Sequence, residues 1–296
     1  MNTLTIDIGG TNIKYGVMNA SAELLFSNEI PTLAHLGGPM LLKRICDLID
    51  GIPYPFNQIG ISASGQINSQ TGTVIFATDS IPNFTGCNIK QTISDHTGKE
   101  VRVENDVNCA VLGEARYGVG DKTGNILMLT IGTGIGGGIM INDTLYTGSS
   151  YSAGEFGHMV THPGGKPCTC GHRGCYEQYA STTALLKEVQ SLMPEVKNGR
   201  QIMTLYSEEN MVIVELVTKW CKEIAIGLAS LIHAFNPGTV ILGGGIMANE
   251  RLLMIVKEEL HNMLIPSFQH ITLNKPKLNN DAGLYGAYSL FKQEEE

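Results

Sequence analysis

The densest chemistry in this sequence lies between His158 and Glu177, which reads His158-x9-Cys168-x-Cys170-Gly171-x2-Gly174-Cys175-x-Glu177. Three thiols and an imidazole at this spacing are one of the standard donor sets for a closed, tetrahedral structural zinc ion. Gly171 and Gly174 give the knuckle backbone freedom, and Lys166 and Arg173 would favour the thiolate forms. His162 and His172 are rival fourth ligands that spacing leaves open. A closed site has no coordination position for substrate, so the expected role is architectural: pinning the loop that carries Glu155 and Glu177.

A second chemical segment is Val101-Arg102-Val103-Glu104-Asn105-Asp106-Val107-Asn108. A short β-branched strand ends in Asn-Asp where an apolar-periodic helix begins. Asp106 at that junction has two readings. It is a favoured N-cap residue, and it is also placed to act as a general base, taking the proton of a substrate hydroxyl that Asn105 orients.

Glycine supplies the third kind of chemistry. Leu129–Ile141 sets Gly132, Thr133, Gly134, Ile135, Gly136, Gly137 and Gly138 between two apolar runs. A dinucleotide fingerprint would continue into a helix. Here Asn142-Asp143 gives a turn signal too soon, so the segment reads as strand–loop–strand with a phosphate-holding tip. Leu4–Thr11 repeats the picture, with Asp7, Ile8, Gly9, Gly10 and Thr11 at the turn before Ile13, Tyr15 and Val17. A third run ends in Gly243-Gly244-Gly245 and leads into a helix over 249–264. Two similar hairpins in one chain suggest two similar halves, each offering a loop to one polyphosphate.

The elements that must position these residues follow an alternating α/β pattern. A strand over 23–30 precedes a helix over 40–49, then Ile59-Gly60-Ile61-Ser62 reads as a buried strand. Ser64 and Gly65 in the loop at its end are candidate ligand contacts. Residues 208–235 read as one long helix, with Ile213, Val217, Trp220, Ile224, Leu228, Leu231 and Phe235 on a core face and Asn236-Pro237-Gly238 as its stop. Trp220 and His233 need only a packing role. A last helix opens at Asp281-Ala282-Gly283.

The totals bound the class. The 296 residues, 43% hydrophobic and 16% charged, allow one large or two ordinary domains with a sizeable core, and only Gln293–Glu296 is expected to be disordered. A net charge of −8 argues against a nucleic-acid surface. No apolar run reaches the length of a membrane span and no secretory signal is evident. Seven cysteines, an odd number, point to a reducing cytoplasm, with Cys46, Cys87, Cys109 and Cys221 as buried filler.

Taken together, D-I-G-G-T (7–11), E-N-D (104–106), G-T-G-I-G-G-G (132–138), G-E-F-G-H (154–158) and C-x-C-G-x-x-G-C-x-E (168–177) resemble the ROK family of sugar kinases and sugar-responsive repressors. The resemblance spans essentially the whole chain. It implies an α/β, two-domain actin-like ATPase (ribonuclease H-like) fold with an interdomain cleft. Residues 1–117 plus 283–296 would form the smaller domain, and 118–282 the larger one with the zinc knuckle. It implies phosphorylation of a hexose 6-hydroxyl by ATP with Mg²⁺, Asp106 being the base. Gly65, Thr78, Asn105, Glu155, His158 and Glu177 would hold the sugar, and His158 would also ligate zinc with Cys168, Cys170 and Cys175. The glycine loops would hold ATP, and the family implies a homodimer. Ser64-Gly65 departs from the commoner Pro-Gly, and Gly65-Gln66 from relatives that accept N-acetyl groups. Similarity to β-glucoside kinases in E-N-D-V-N-C and A-G-E-F-G favours glucose or a β-glucoside, with N-acetylmannosamine, fructose and allose as further candidates.

Two other functions compete. A sugar-sensing repressor of the same family would carry a helix-turn-helix ahead of the first phosphate loop, whereas six residues precede Asp7 in this sequence. An idle sugar-binding protein would not turn over ATP.

Overall fold

The structure is a computed structural model that describes residues 1–120 and 124–292. The expected disordered tail, Gln293–Glu296, lies outside the described residues. The chain divides into two compact units. The first holds Met1–Gly120, Thr144–Ala153 and the described residues from Lys277; the second holds the described residues up to Asp143, and Gly154–Pro276.

In the first unit, β1 (Thr3–Ile8), β2 (Asn12–Met18), β3 (Leu24–Pro31), β4 (Gln58–Ala63) and β7 (Glu100–Asn105) form a sheet in the order β3-β2-β1-β4-β7. β1 pairs antiparallel with β2 and parallel with β4, which pairs parallel with β7. Leu4, Ile6 and Ile8 of β1 are fully buried, and so are Thr3 and Thr5 on its other face. β1 is thus covered on both faces, although Thr3, Thr5 and Asp7 replace on its second face the apolar residues that such a strand commonly shows. The unit also holds a small hairpin, β5 (Gln66–Asn68) with β6 (Thr73–Phe76), a two-residue strand β10 (Thr144–Leu145), and helices α1 (Gly38–Asp50), α2 (Ile89–Thr97), α3 (Asp106–Tyr117) and α9 (Ala282–Ser289).

Glu114 of α3, fully buried, ties the unit's chain crossings. Oε2 accepts from the Val119 N–H at 3.1 Å and the Lys277 N–H at 3.0 Å, and Oε1 from the Leu278 N–H at 2.7 Å.

The second unit repeats the hairpin-plus-parallel theme. The strands of three or more residues in its sheet run β9 (Ile135–Ile141), β8 (Ile126–Ile131), β11 (Thr239–Gly243) and β12 (Thr272–Asn274), β8–β9 antiparallel and the rest parallel. Asn142 and Asp143 both take positive φ, which is what a two-residue hairpin turn demands. Helices α4 (Glu177–Ala180), α5 (Thr182–Leu192), α6 (Gly199–Ser207), α7 (Met211–Phe235) and α8 (Glu250–Met263) complete the unit.

Three expectations need correction. The long helix begins at Met211, not at 208, because Glu209 has φ 59° and the Asn210 side chain caps the helix by accepting from the Ile213 N–H. Its apolar stripe is buried from Ile213 to Leu231, but Phe235 and His233 reach the surface in its last turn. Cys46, Cys109 and Cys221 are buried, whereas Cys87 is half-buried with its thiol donating to the Asn83 carbonyl.

Candidate active site

In the first unit, Asp7 is the penultimate residue of β1, opposite Ser62 of β4 in parallel register, and Ser62 Oγ donates to Asp7 Oδ1 at 2.5 Å. Past Asp7 the chain turns through Ile8, Gly9, Gly10 and Thr11. The Thr32 hydroxyl donates to the Gly9 carbonyl, and the Thr32 N–H donates to the Thr11 carbonyl. Ser64 explains its departure from proline: both its N–H and its hydroxyl donate to the Ile8 carbonyl, and proline has no N–H to give. Gly65 follows with φ 100°, the left-handed region that favours glycine, so a side chain there would be strained.

The Asn–Asp junction divides the labour that the sequence offered to Asp106 alone. Asn105 is the N-cap of α3, its Oδ1 accepting from the Val107 and Asn108 N–H groups. Its Nδ2 donates to the Gly65 carbonyl at 2.8 Å and to Asp106 Oδ1 at 2.9 Å. Both donors of that amide are therefore committed within the protein. Buried Glu104 anchors the segment from behind, with Oε1 accepting from the Asn105 N–H at 2.7 Å and Asn108 Nδ2 at 3.0 Å.

Burial raises the Asp106 pKa to about 6, and the nearby Asp7 charge adds to the rise. Asp106 nonetheless keeps part of its surface open to solvent, as does Asp7, whose own pKa burial also raises. Thr78 lies on the exposed loop after β6, its hydroxyl bonded to that of Ser80 at 2.8 Å.

In the second unit, the β8–β9 tip is closed by the Gly132 N–H donating to the Gly134 carbonyl, and the Thr182 N–H donates to the Gly132 carbonyl. Glycine is unexplained by packing at three loop positions. At Gly10, Gly132 and Gly245 a Cβ would meet nothing within 4 Å, and none of the three takes a left-handed φ. A side chain would instead stand where a ligand could approach the backbone. Gly132 and Gly245 both border a pocket of about 1030 Å³ within the second unit. Thr133, Thr182, Lys197, Asn198, Arg200 and Met203 are among its other lining residues. The α6 contribution is not among the expected site residues; Asn198, which caps α6 by accepting from the Gln201 N–H, is the local sign of it in the sequence.

Glu177 opens α4, and its Oε1 accepts from Gln178 Nε2 at 3.3 Å. Its Oε2 lies 2.7 Å from where a Cβ of Gly134 would stand, and its Oε1 accepts from the Cys168 thiol at 3.3 Å. His158, Cys168, Cys170 and Cys175 bring their ligand atoms within 4.8 Å of one another and could hold a metal ion. The Cys170 and Cys175 sulfurs are 3.6 Å apart, and Cys168 Sγ is 3.7 Å from His158 Nδ1. The other ring nitrogen of His158 lies 4.0 Å from Glu155 Oε2. His162 is occupied elsewhere, stacked on Tyr179 and 3.4 Å from Glu223.

The ROK family profile matches residues 3–294. The chain belongs to the ROK family. It is 32% identical to a glucokinase of Thermotoga maritima over 314 residues, covering 99% of this chain and 98% of that one. It is also 32% identical to a β-glucoside kinase of Listeria monocytogenes over 300 residues, covering 100% and 99%. Among solved structures, a ROK family glucokinase from Streptomyces griseus in complex with glucose and AMPPNP superposes with a TM-score of 0.84 at 30% identity, over 98% of this chain and 99% of that one. These relatives are phosphotransferases with an alcohol acceptor, and the fold is the two-domain actin-like ATPase fold. Among the described residues no helix is long and apolar enough to cross a membrane.

Proposed function

We propose that this chain transfers the γ-phosphate of ATP to the 6-hydroxyl of a hexose or hexosyl group, with glucose or a β-glucoside favoured and N-acetylmannosamine a further acceptor. The observation that carries the reading is the pocket bordered by Gly132 and Gly245, two glycines that neither packing nor φ requires. Backbone left bare in this way suits phosphate, and the lining of Lys197, Arg200, Asn198 and Met203 suits a nucleoside with its charged tail.

Asp106 is the general base. At neutral pH a carboxyl with a pKa of about 6 is mostly ionised yet basic enough to take a hydroxyl proton. The bonds from Asn105 Nδ2 and the Val107 N–H both fall on Oδ1, which fixes the carboxylate while Oδ2 meets the hydroxyl. Gly65, Thr78, Glu155, His158 and Glu177 are assigned to the sugar hydroxyls, while Asn105, its amide committed to Gly65 and Asp106, acts by holding that carboxylate.

Two metals belong to this reading. Asp7 offers only oxygen, the donor type that suits Mg²⁺. Mg²⁺, when bound with ATP, neutralises charge on the β- and γ-phosphates. For zinc, bonds of about 2.3 Å to sulfur and about 2.0 Å to nitrogen give tetrahedral edges of roughly 3.8 Å between sulfurs and roughly 3.5 Å from sulfur to nitrogen. The 3.6 Å between the Cys170 and Cys175 sulfurs and the 3.7 Å between Cys168 Sγ and His158 Nδ1 each lie within about 0.2 Å of those edges. His158, Cys168, Cys170 and Cys175 would hold it as a strut beneath Glu177. A homodimer in a reducing cytoplasm completes the proposal.

A coupled ADP-release assay with glucose, cellobiose, N-acetylmannosamine, fructose and allose tests it. Sugar-dependent ADP release with at least one is expected, and also separates a kinase from a repressor or an idle binder. No turnover with any would defeat the proposal.

A further inference from the structure

Helix α9 is fitted into the first unit by glycines, and they are not equivalent. A Cβ on Gly286 would collide with the Cys109 carbonyl of α3, and one on Gly60 of β4 with the Ala287 carbonyl. A Cβ on Gly113 of α3 would lie 2.5 Å from the Ala282 carbonyl oxygen. In all three the obstacle is backbone, which moves only if an element moves. These glycines serve packing.

Gly283 is different. A Cβ there would lie 2.5 Å from Asp7 Cγ and 2.7 Å from each of the carboxylate oxygens, and these are its three nearest atoms. The obstacle is the tip of one side chain, which can rotate aside without disturbing the fold. Gly283 has no left-handed φ that would call for glycine. It sits in the first turn of a helix, where alanine is the better residue by propensity. Neither conformation nor backbone packing accounts for it. What its missing side chain preserves is the place of the Asp7 carboxylate, held on its other side by Ser62 Oγ at 2.5 Å.

We infer that Gly283 is a positioning residue for Asp7: its bare Cα lets the carboxylate rest in the orientation set by Ser62, from which it meets the nucleotide-bound divalent cation. The inference rests on the proposal that Asp7 faces that cation.

The test compares the wild-type chain with Gly283→Ala, Asp7→Asn, the double variant and Gly286→Ala. Two quantities are measured: the thermal midpoint, and the affinity for AMPPNP with and without Mg²⁺ by calorimetry. Gly283→Ala is expected to unfold at or above the wild-type temperature and to lose about tenfold or more of the affinity that Mg²⁺ adds, since displacing a positioned group by about 1 Å can cost on the order of 10²-fold. The double variant should be no worse than Asp7→Asn alone, because the effect runs through Asp7. Gly286→Ala should lower the midpoint. Wild-type Mg²⁺ dependence in Gly283→Ala overturns the inference, as does a midpoint that falls with that of Gly286→Ala, or additive losses in the double variant. Asp7→Asn with an unchanged Mg²⁺ effect would instead remove the assignment of Asp7 to the cation, and the inference with it.

Discussion

Asn105 Nδ2 donates to Asp106 Oδ1 at 2.9 Å while Asn105 Oδ1 caps the helix that Asp106 begins. Capping, which would otherwise consume a carboxylate at this junction, is carried by the amide. The acid is thereby held in place with its charge still available.

Replacing that charge by an isosteric amide is the direct test. Asp106→Asn should lower kcat by about 10²- to 10⁴-fold with sugar affinity nearly unchanged. Near-normal turnover would refute the base assignment.

The pH dependence follows from the same residue. With a pKa of about 6, ionised Asp106 is lost as pH falls through 6, so kcat/KM should drop about tenfold per pH unit below it. The sign for stability is opposite. The folded pKa lies above the unfolded value, so the native state binds more protons between about pH 4 and 6, and this group's contribution declines as pH rises through that window. Asp106→Asn should therefore stabilise the protein at pH 7 by about 1–3 kcal/mol, read from denaturant unfolding. A destabilised variant would contradict this account.

For the metal, one zinc per chain is expected by atomic emission. Cys170→Ser should abolish it and cost at least about 2 kcal/mol of stability. A metal-free wild-type preparation of equal stability would exclude the strut.

Arg200 lines the pocket of the second unit. Loss of a charge-assisted contact predicts that Arg200→Ala raises KM for ATP about tenfold while KM for sugar holds. Equal changes in both would argue that the pocket holds something other than the nucleotide.

Glu114 receives three backbone N–H groups in a fully buried setting. Glu114→Ala orphans them all and should cost about 2–5 kcal/mol in chemical unfolding. A loss under about 1 kcal/mol would mean that water replaces the carboxylate.

The glycine tips were legible because they interrupt β-branched runs and are followed by further strand or by a turn. The Gly132–Gly134 tip lies between antiparallel β8 and β9, as the Asn142-Asp143 signal implied. Ser62, Gly283 and Glu114 were not legible. Each acts on a residue more than fifty positions away or across a chain crossing, and a single sequence carries no sign of such contacts. The start of α7 failed for a local reason: Glu208 and Glu209 favour helix by propensity, but the Asn210 cap overrides them.

The contact between Gly283 and Asp7 also orders events during synthesis. Asp7 leaves the ribosome 276 residues ahead of Gly283 (283 − 7), so the acid acquires its final setting only after Gly283 has emerged. A chain that stops short of residue 282 would carry Asp7, Ser62, Asp106 and the glycine tips and still lack the surface against which Asp7 is set.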